Sequence, residues 1–443
     1  MTDTTHRAGE DRDCRAPGRV SCGIFTLVQA CIYGKVRLFT DHATPCGAYE
    51  PLTVLMSKPN FIRLFLRAAF QFPAFWLAAC LLLAMPRPAW ADSPLHFVVE
   101  NKTFVYNQEH TNIDAINEGF TLIGNQTKTY FRYAIAPAVA VDVGAFLDFP
   151  FGEDDRVSGV DPIISLHWGF APGWQFTAGT IDRNHPLHDA FFNDNLRYIE
   201  PIEQGFQIRG DTQHILQDTW LSWEERETQT KREKFAAGNY TQLKAGGFMV
   251  DAQVYWVHLG GQKNSGPGVW NNLSYGFGTG YTYHHSKILH PGSFLDNIGF
   301  TIHYLVNQDD PPGLPQVDEE GMALRVFATV WDTYVYGLFW EGGSAHFNSP
   351  RGDVTQPGVP LAKGDPFYKA EDFQEVGVIK TWTLGNNIYL TADARAQYIL
   401  DRLVHIAHLN VTWRDSFALF EEFFSKKRPD PTRPPQTYWP QPR

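Results

Sequence analysis

The chain has 443 residues, of which 43% are hydrophobic, 14% aromatic and 19% charged, which excludes a disordered or collagen-like polymer. All five cysteines lie at or before Cys80, so the rest of the chain has no disulfide framework and no thiolate metal site. Of 37 basic and 48 acidic side chains, 10 and 6 fall within residues 1–91, leaving 27 and 42; this acidic remainder speaks against a nucleic-acid partner.

Residues 56–91 read as a secretory signal. Lys58, Arg63 and Arg67 form a positive start, Ala68 to Met85 is apolar and almost uncharged, and Ala89-Trp90-Ala91 offers a small-x-small cleavage site. Pro86 and Pro88 break a helix just before that site, which favours cleavage over a membrane anchor and places the mature start at Asp92. Residues 1–55 precede this complete signal and show no sustained period. They are read as an extension from a mis-assigned start, with Met56 as the true first residue.

Beyond Asp92 the recurring pattern is period two. Val139, Val141, Val143, Ala145 and Leu147 alternate with Ala140, Asp142, Gly144, Phe146 and Asp148. Similar alternation runs through Phe248 to Val257, Met322 to Val330 and Ile388 to Arg395. About sixteen such strands are expected between residues 116 and 413, with 116–124 and 129–135 as separate strands and 95–107 unused, a plug or an extra strand. Tight turns such as Ala171-Pro172-Gly173, Ala245-Gly246-Gly247 and Asp332-Thr333 mostly alternate with long polar connections at 149–159, 183–202, 260–271, 308–320 and 343–371. The connection at 286–296 is long for the short-turn end, and that at 399–402 is short for the other.

Short turns at one end and long loops at the other predict an all-β fold: a transmembrane antiparallel up-and-down β-barrel over residues 92–415, closed so that every backbone group is paired in lipid. Trp168, Trp256, Trp331, Trp340, Tyr281, Tyr283, Tyr334, Tyr336 and Trp413 are expected on the apolar face near strand ends, as aromatic girdles. A soluble β-sandwich would not need that belt.

On these features the chain resembles Gram-negative outer-membrane β-barrel proteins, and more loosely porins and polysaccharide-export barrels. The resemblance implies short periplasmic turns, long external loops, a bacterial outer-membrane location, and contact with outer-membrane lipid, lipopolysaccharide and the assembly machinery. The tail 416–443, with six prolines, departs from the pattern and is expected to be an extended periplasmic segment.

Lipid hydrolases and acyltransferases exist in this class and need an oriented nucleophile and base. No Gly-x-Ser-x-Gly elbow is present, His405 and His408 fall on opposite strand faces, and the pair His185/His188 sits in a loop read as solvated. No catalytic residue, metal or cofactor is therefore expected, and the chain is not read as an enzyme. Acidic groups at Glu153 to Asp155, Asp309 and Asp310, and Asp318 to Glu320 read as solvated external loops.

With the apolar face toward lipid, the inward set includes Asp142, Asp148, His167, Gln207, Arg209, Asp251, Gln253, His303, Arg325, Asp393 and Arg395. By resemblance to porins the third external loop, 183–202, is the constriction candidate, bringing Arg183, His185, Asp189, Asp194 and Arg197 toward wall residues Arg209, Asp251, Arg325, Asp393 and Arg395; Arg209, Arg325 and Arg395 are expected partners for Asp189 and Asp194. The expected function is a channel for small hydrophilic solutes, with a polysaccharide-export barrel, a lipid-modifying enzyme or a plugged structural barrel as alternatives.

Overall fold

The computed structural model describes residues 95–109, 119–152, 159–264, 266, 268–285, 294–343, 347, 361 and 364–419. The readings of the signal segment, of the extension before it, of Glu153 to Asp155 and of residues 420–443 lie outside these.

Sixteen strands run in chain order: β1 (Leu95–Glu109), β2 (Phe120–Ala136), β3 (Val139–Pro150), β4 (Gly159–Ala171), β5 (Trp174–Asp182), β6 (Ile202–Asp211), β7 (Ile215–Glu225), β8 (Glu233–Ala245), β9 (Phe248–Gly260), β10 (Trp270–His284), β11 (Leu295–Asp310), β12 (Val317–Val330), β13 (Thr333–Gly342), β14 (Asp372–Gly385), β15 (Ile388–Ile399) and β16 (Arg402–Leu419). Each pairs antiparallel with its sequence neighbours, and β1 pairs with β16 from Leu95↔Leu419 to Glu109↔His405, which closes the barrel. Closure leaves no edge strand and pairs every ladder group internally, the condition for crossing lipid with strands.

The strand count matches the expectation, but its bookkeeping differs at the start. Residues 95–109 form β1, and the two strands expected at 116–124 and 129–135 are one continuous strand, β2. The misreading has a physical source. Asn101 and Thr103 of β1 and Asn125 and Thr127 of β2 interrupt the apolar outward face, and they bond to one another instead of to water. Asn101 Nδ2 donates to Asn125 Oδ1 at 2.9 Å and to Thr127 Oγ1 at 2.7 Å, while Asn125 Nδ2 donates to Asn101 Oδ1 at 3.1 Å and to Thr103 Oγ1 at 2.7 Å. A satisfied polar cluster is tolerated where an unpaired one would be costly.

Elsewhere the outward face is an apolar belt that includes Phe131, Val143, Ile164, Phe206, Val250, Phe300, Val376 and Leu409, all exposed. Trp168, Trp256, Tyr281 and Tyr283 share that face, and Trp331 is exposed in a short turn. Tyr334, Tyr336 and Trp340 do not: they alternate inward on β13 and are buried in the lumen. Both faces of β13 are apolar because the lumen there is filled, so periodicity alone could not orient it.

Turn geometry is local. Gly246 and Gly247 join β8 to β9 with φ of +56° and +88°, the pair of positive angles a two-residue hairpin turn with matching twist demands. Leu400 and Asp401 adopt φ of 48° and 59° in the short β15–β16 connection, where Tyr398 Oη donates to Asp401 Oδ1 at 2.9 Å.

Candidate functional site

The connection 183–201 turns into the barrel instead of out from it. Leu187, Ala190 and Phe191 are completely buried, and Phe192, Leu196 and Tyr198 nearly so. Leu187, Phe191, Phe192 and Leu196 gain about 1.5–3 kcal/mol each on leaving water, which is why the segment is not the solvated loop expected for it. A single helical turn, α1 (Leu196–Ile199), finishes it before β6. Part of the β13–β14 connection is also inside: Phe347, Leu361, Phe367 and Tyr368 are buried. The two segments hold each other, with Asp365 N donating to Asp189 O at 2.8 Å and the His188 ring edge-on to Tyr368 at 5.3 Å. The long-loop half of the lumen is thus packed around an apolar core.

Charged residues pin this plug to the wall. His185 places Nδ1 3.0 Å from Asp218 Oδ2 on β7 and Nε2 3.2 Å from Glu203 Oε1 on β6. Its ring lies flat against Trp220 at 3.5 Å, and Gln207 Nε2 donates to the other oxygen of Asp218 at 2.8 Å. Gly238 on β8 makes the space for Trp220; a Cβ there would sit 2.2 Å from the indole. Arg183 Nε is 3.1 Å from Glu203 Oε1, and its Nη1 donates to Glu200 at 2.5 Å. Burial opposes charging of His185, but Asp218 and Glu203 together outweigh it and raise the imidazole above its ordinary value.

Further along the loop, Asp189 lies 3.8 Å from Arg325 on β12, whose guanidinium stacks over Tyr336 at 4.5 Å. Asp194 lies 3.8 Å from Arg395 on β15 and also accepts from Arg197. Arg395 donates to Asp393 at 2.7 Å, and His408 Nδ1 stands 3.6 Å from the same carboxylate. Arg209 on β6 reaches the start of the loop, where its Nη1 donates to Asn184 Oδ1 at 2.9 Å. Asp251 on β9 faces His303 at 3.2 Å and accepts from Gln253 at 3.2 Å, and Gln253 in turn accepts from His188 N at 2.7 Å. His185 and His188 therefore have separate partners. Among the described residues no group of three or more His, Cys, Asp or Glu is placed to hold a metal ion.

Sequence reasoning missed Glu203, Asp218 and Trp220, which anchor His185, and Lys102, whose Nζ donates to Arg197 O at 2.6 Å. A signal was present: Leu187, Phe191, Phe192 and Leu196 together are too apolar for a solvated loop. What remains open is a cavity of about 760 Å³, running from the plug to the short-turn end and lined by both charge signs, including Lys102, Lys128, Arg197, Asp182, Asp194 and Glu100.

A closed sixteen-strand barrel with an apolar outer belt and a charged lumen defines an outer-membrane β-barrel protein, porin-like in architecture. The family model described as Lipid A 3'-O-deacylase-type matches residues 88–422, and the chain belongs to that family. Among solved structures, the chain is similar to the outer-membrane protein OprD from Pseudomonas aeruginosa at 12% identity and TM-score 0.45, covering 75% of this chain and 96% of that one. A loop L8 deletion mutant of OmpT from Vibrio cholerae matches at 10% identity and TM-score 0.43, covering 73% and 100%. OccAB4 from Acinetobacter baumannii matches at 11% and 0.41, covering 73% and 98%. At these identities and scores the likeness carries no argument about function. No curated protein matches the chain.

Membership in a deacylase-type family overturns the expectation that the chain is not an enzyme. That expectation rested on the missing Gly-x-Ser-x-Gly elbow, which is a device of a strand-to-helix turn. A barrel can instead bring a hydroxyl, an imidazole and a carboxylate together from separate neighbouring strands, and such a set leaves no contiguous motif.

Proposed function

We propose that the chain is an outer-membrane acyl-ester hydrolase acting on lipid A. The observation that carries this reading is the family match, which spans all sixteen strands. The lumen supports it. Two inward loops fill its long-loop half, and the space left is a cavity whose lining includes Lys102, Lys128, Arg197 and Arg395 beside Glu100, Asp182 and Asp194, a mixed-charge wall for a head group.

A second reading, passage of small hydrophilic solutes, is favoured by the continuation of that cavity to Asp332, Tyr389 and Trp413 at the short-turn end. It requires the plug to move. Export of a polysaccharide would require the same movement on a larger scale.

One preparation separates the two readings. Purified protein incubated with lipid A in detergent micelles should release fatty acid and leave a product lighter by one acyl chain, and the same protein in planar bilayers should show little ionic conductance. Stepwise conductance without acyl release would reject the hydrolase in favour of the channel.

A further inference from the structure

The cavity under the plug carries one charge that the protein does not answer. Of the lysines and arginines that line it, Arg183, Arg197, Arg325 and Arg395 hold the carboxylates named above, Lys128 faces Asp182, and Arg414 Nε lies 3.1 Å from Glu100 Oε1. Lys102, half-way along β1, lines the same space and has no carboxylate partner among the described residues. Its Nζ donates to Arg197 O at 2.6 Å and stands 4.7 Å from the centre of the Tyr198 ring. An ammonium has three donors, so two are left for the cavity.

The wall beside Lys102 is made of neutral donors. Thr412 on β16 is its register partner, is buried and lines the cavity, and its hydroxyl bonds to no described residue. Asn410, two residues along the same inward face, reaches the Tyr198 hydroxyl from Nδ2 at 3.4 Å. Thr391 on β15 lies opposite Asn410 in register and shares a 2.9 Å bond with Thr381 on β14; both line the cavity. Arg197 and Tyr198 close this wall toward the long loops, and the cavity continues from it to Asp332 at the short-turn end.

A row of hydroxyls and an amide matches the hydroxyls of a sugar, and a lone ammonium at the end of the row matches an anion carried on it. Leaving that ammonium unpaired in a protein-lined space is costly, so a charged partner gains more there than in open water. The partner must meet the ammonium, Thr412 and Asn410 together. A phosphate monoester has three free oxygens for them, whereas a carboxylate has two.

We infer that Lys102, Thr412 and Asn410 form a binding subsite for a phosphate monoester on a sugar, with the phosphate on Lys102 and the sugar along Thr391 and Thr381; that this sugar is the head group of lipid A rests on the hydrolase reading above. No bond is made or broken at the subsite.

The test uses the full chain in detergent micelles, titrated calorimetrically with N-acetylglucosamine 1-phosphate, N-acetylglucosamine and inorganic phosphate. The sugar phosphate should bind most tightly of the three. Lys102→Met should weaken it about 10–100-fold, the range for losing hydrogen bonds to a charged group, and leave N-acetylglucosamine unchanged. A purely structural role for Lys102 in holding Arg197 would instead weaken both sugars alike. Thr412→Val, which leaves the contact between Lys102 and the plug in place, should also weaken the sugar phosphate. Equal binding of the two sugars by the wild type would overturn the subsite without any variant having to fold. Inorganic phosphate bound as tightly as the sugar phosphate would overturn the sugar as part of the ligand. Acyl release is then measured from lipid A and from lipid A stripped of its phosphates, with the phosphorylated form expected to react faster and Lys102→Met to lose that preference. Selective binding of the sugar phosphate with no acyl release from either lipid would uphold the subsite and overturn the hydrolase reading. Acyl release from both lipids at one rate, with no selectivity between the sugars, would overturn the subsite and leave the hydrolase reading standing.

Discussion

The imidazole of His185 lies parallel to the indole of Trp220, ring centroids 3.5 Å apart and planes within 1°. Both side chains are buried, and the ring nitrogens reach carboxylates on two different strands. A flat cation on a π face, closed in by Asp218 and Glu203, is an anchor that a freely solvated loop would not have.

Removing that anchor strands two buried carboxylates. His185→Ala should therefore release the plug, since breaking a buried ion pair by deleting one partner costs about 3–5 kcal/mol. In reconstituted protein, trypsin should then cut at Arg183 or Arg197, which the wild type protects, while the barrel keeps its folded mobility on gels. Equal protection in both proteins would show that Phe191 and its apolar neighbours hold the loop unaided.

The same anchor sets a pH dependence. His185 is raised when docked, so docking is fully strengthened below the ordinary histidine value of about 6.5 and loses that strength as pH rises through the docked value. Amide hydrogen exchange over 185–199, corrected for the intrinsic rate, should speed up at alkaline pH. Exchange that slows with rising pH would reverse the sign and reject a cationic His185.

Deleting residues 187–194 removes Leu187, Phe191 and Phe192 from the lumen, together with the Asp189 and Asp194 contacts to Arg325 and Arg395. Single-channel conductance in planar bilayers should rise well above the wild-type level. An unchanged conductance would mean that the segment from 364 to 370 closes the lumen alone.

Lipid face and lumen can be separated by charge. Val254 on β9 is exposed on the outward belt, and Val254→Arg should cost about 2–4 kcal/mol if near the bilayer midplane. Thr381→Arg, on the inward face of β14 and open to the lumen, should be tolerated. Gln253, although inward, is not a neutral comparison, because it is buried under the plug and accepts from His188 N. Equal loss at Val254 and Thr381 would reject the assignment of faces.

The barrel was legible because alternation survives wherever only one face is apolar, as from Val139 to Asp148. It failed where both faces were alike. The polar cluster of Asn101, Thr103, Asn125 and Thr127 hid β1 and split β2, and the aromatic lumen hid the direction of Tyr334, Tyr336 and Trp340. The loop charges Asp189 and Asp194 were found through the resemblance to porins, and the wall arginines Arg325 and Arg395 because alternation could orient their strands. Asp218 and Glu203 were not, since nothing in sequence pairs residues on separate strands until register is known.

Lipid A extracted from outer membranes of cells expressing the chain, and from cells lacking it, tests the central claim most directly when their intact masses are compared. Expression of the wild type should shift lipid A to a species lighter by one ester-linked acyl chain, with the matching fatty acid released. Identical lipid A masses, with the folded barrel shown to be present in the same membranes, would contradict the account.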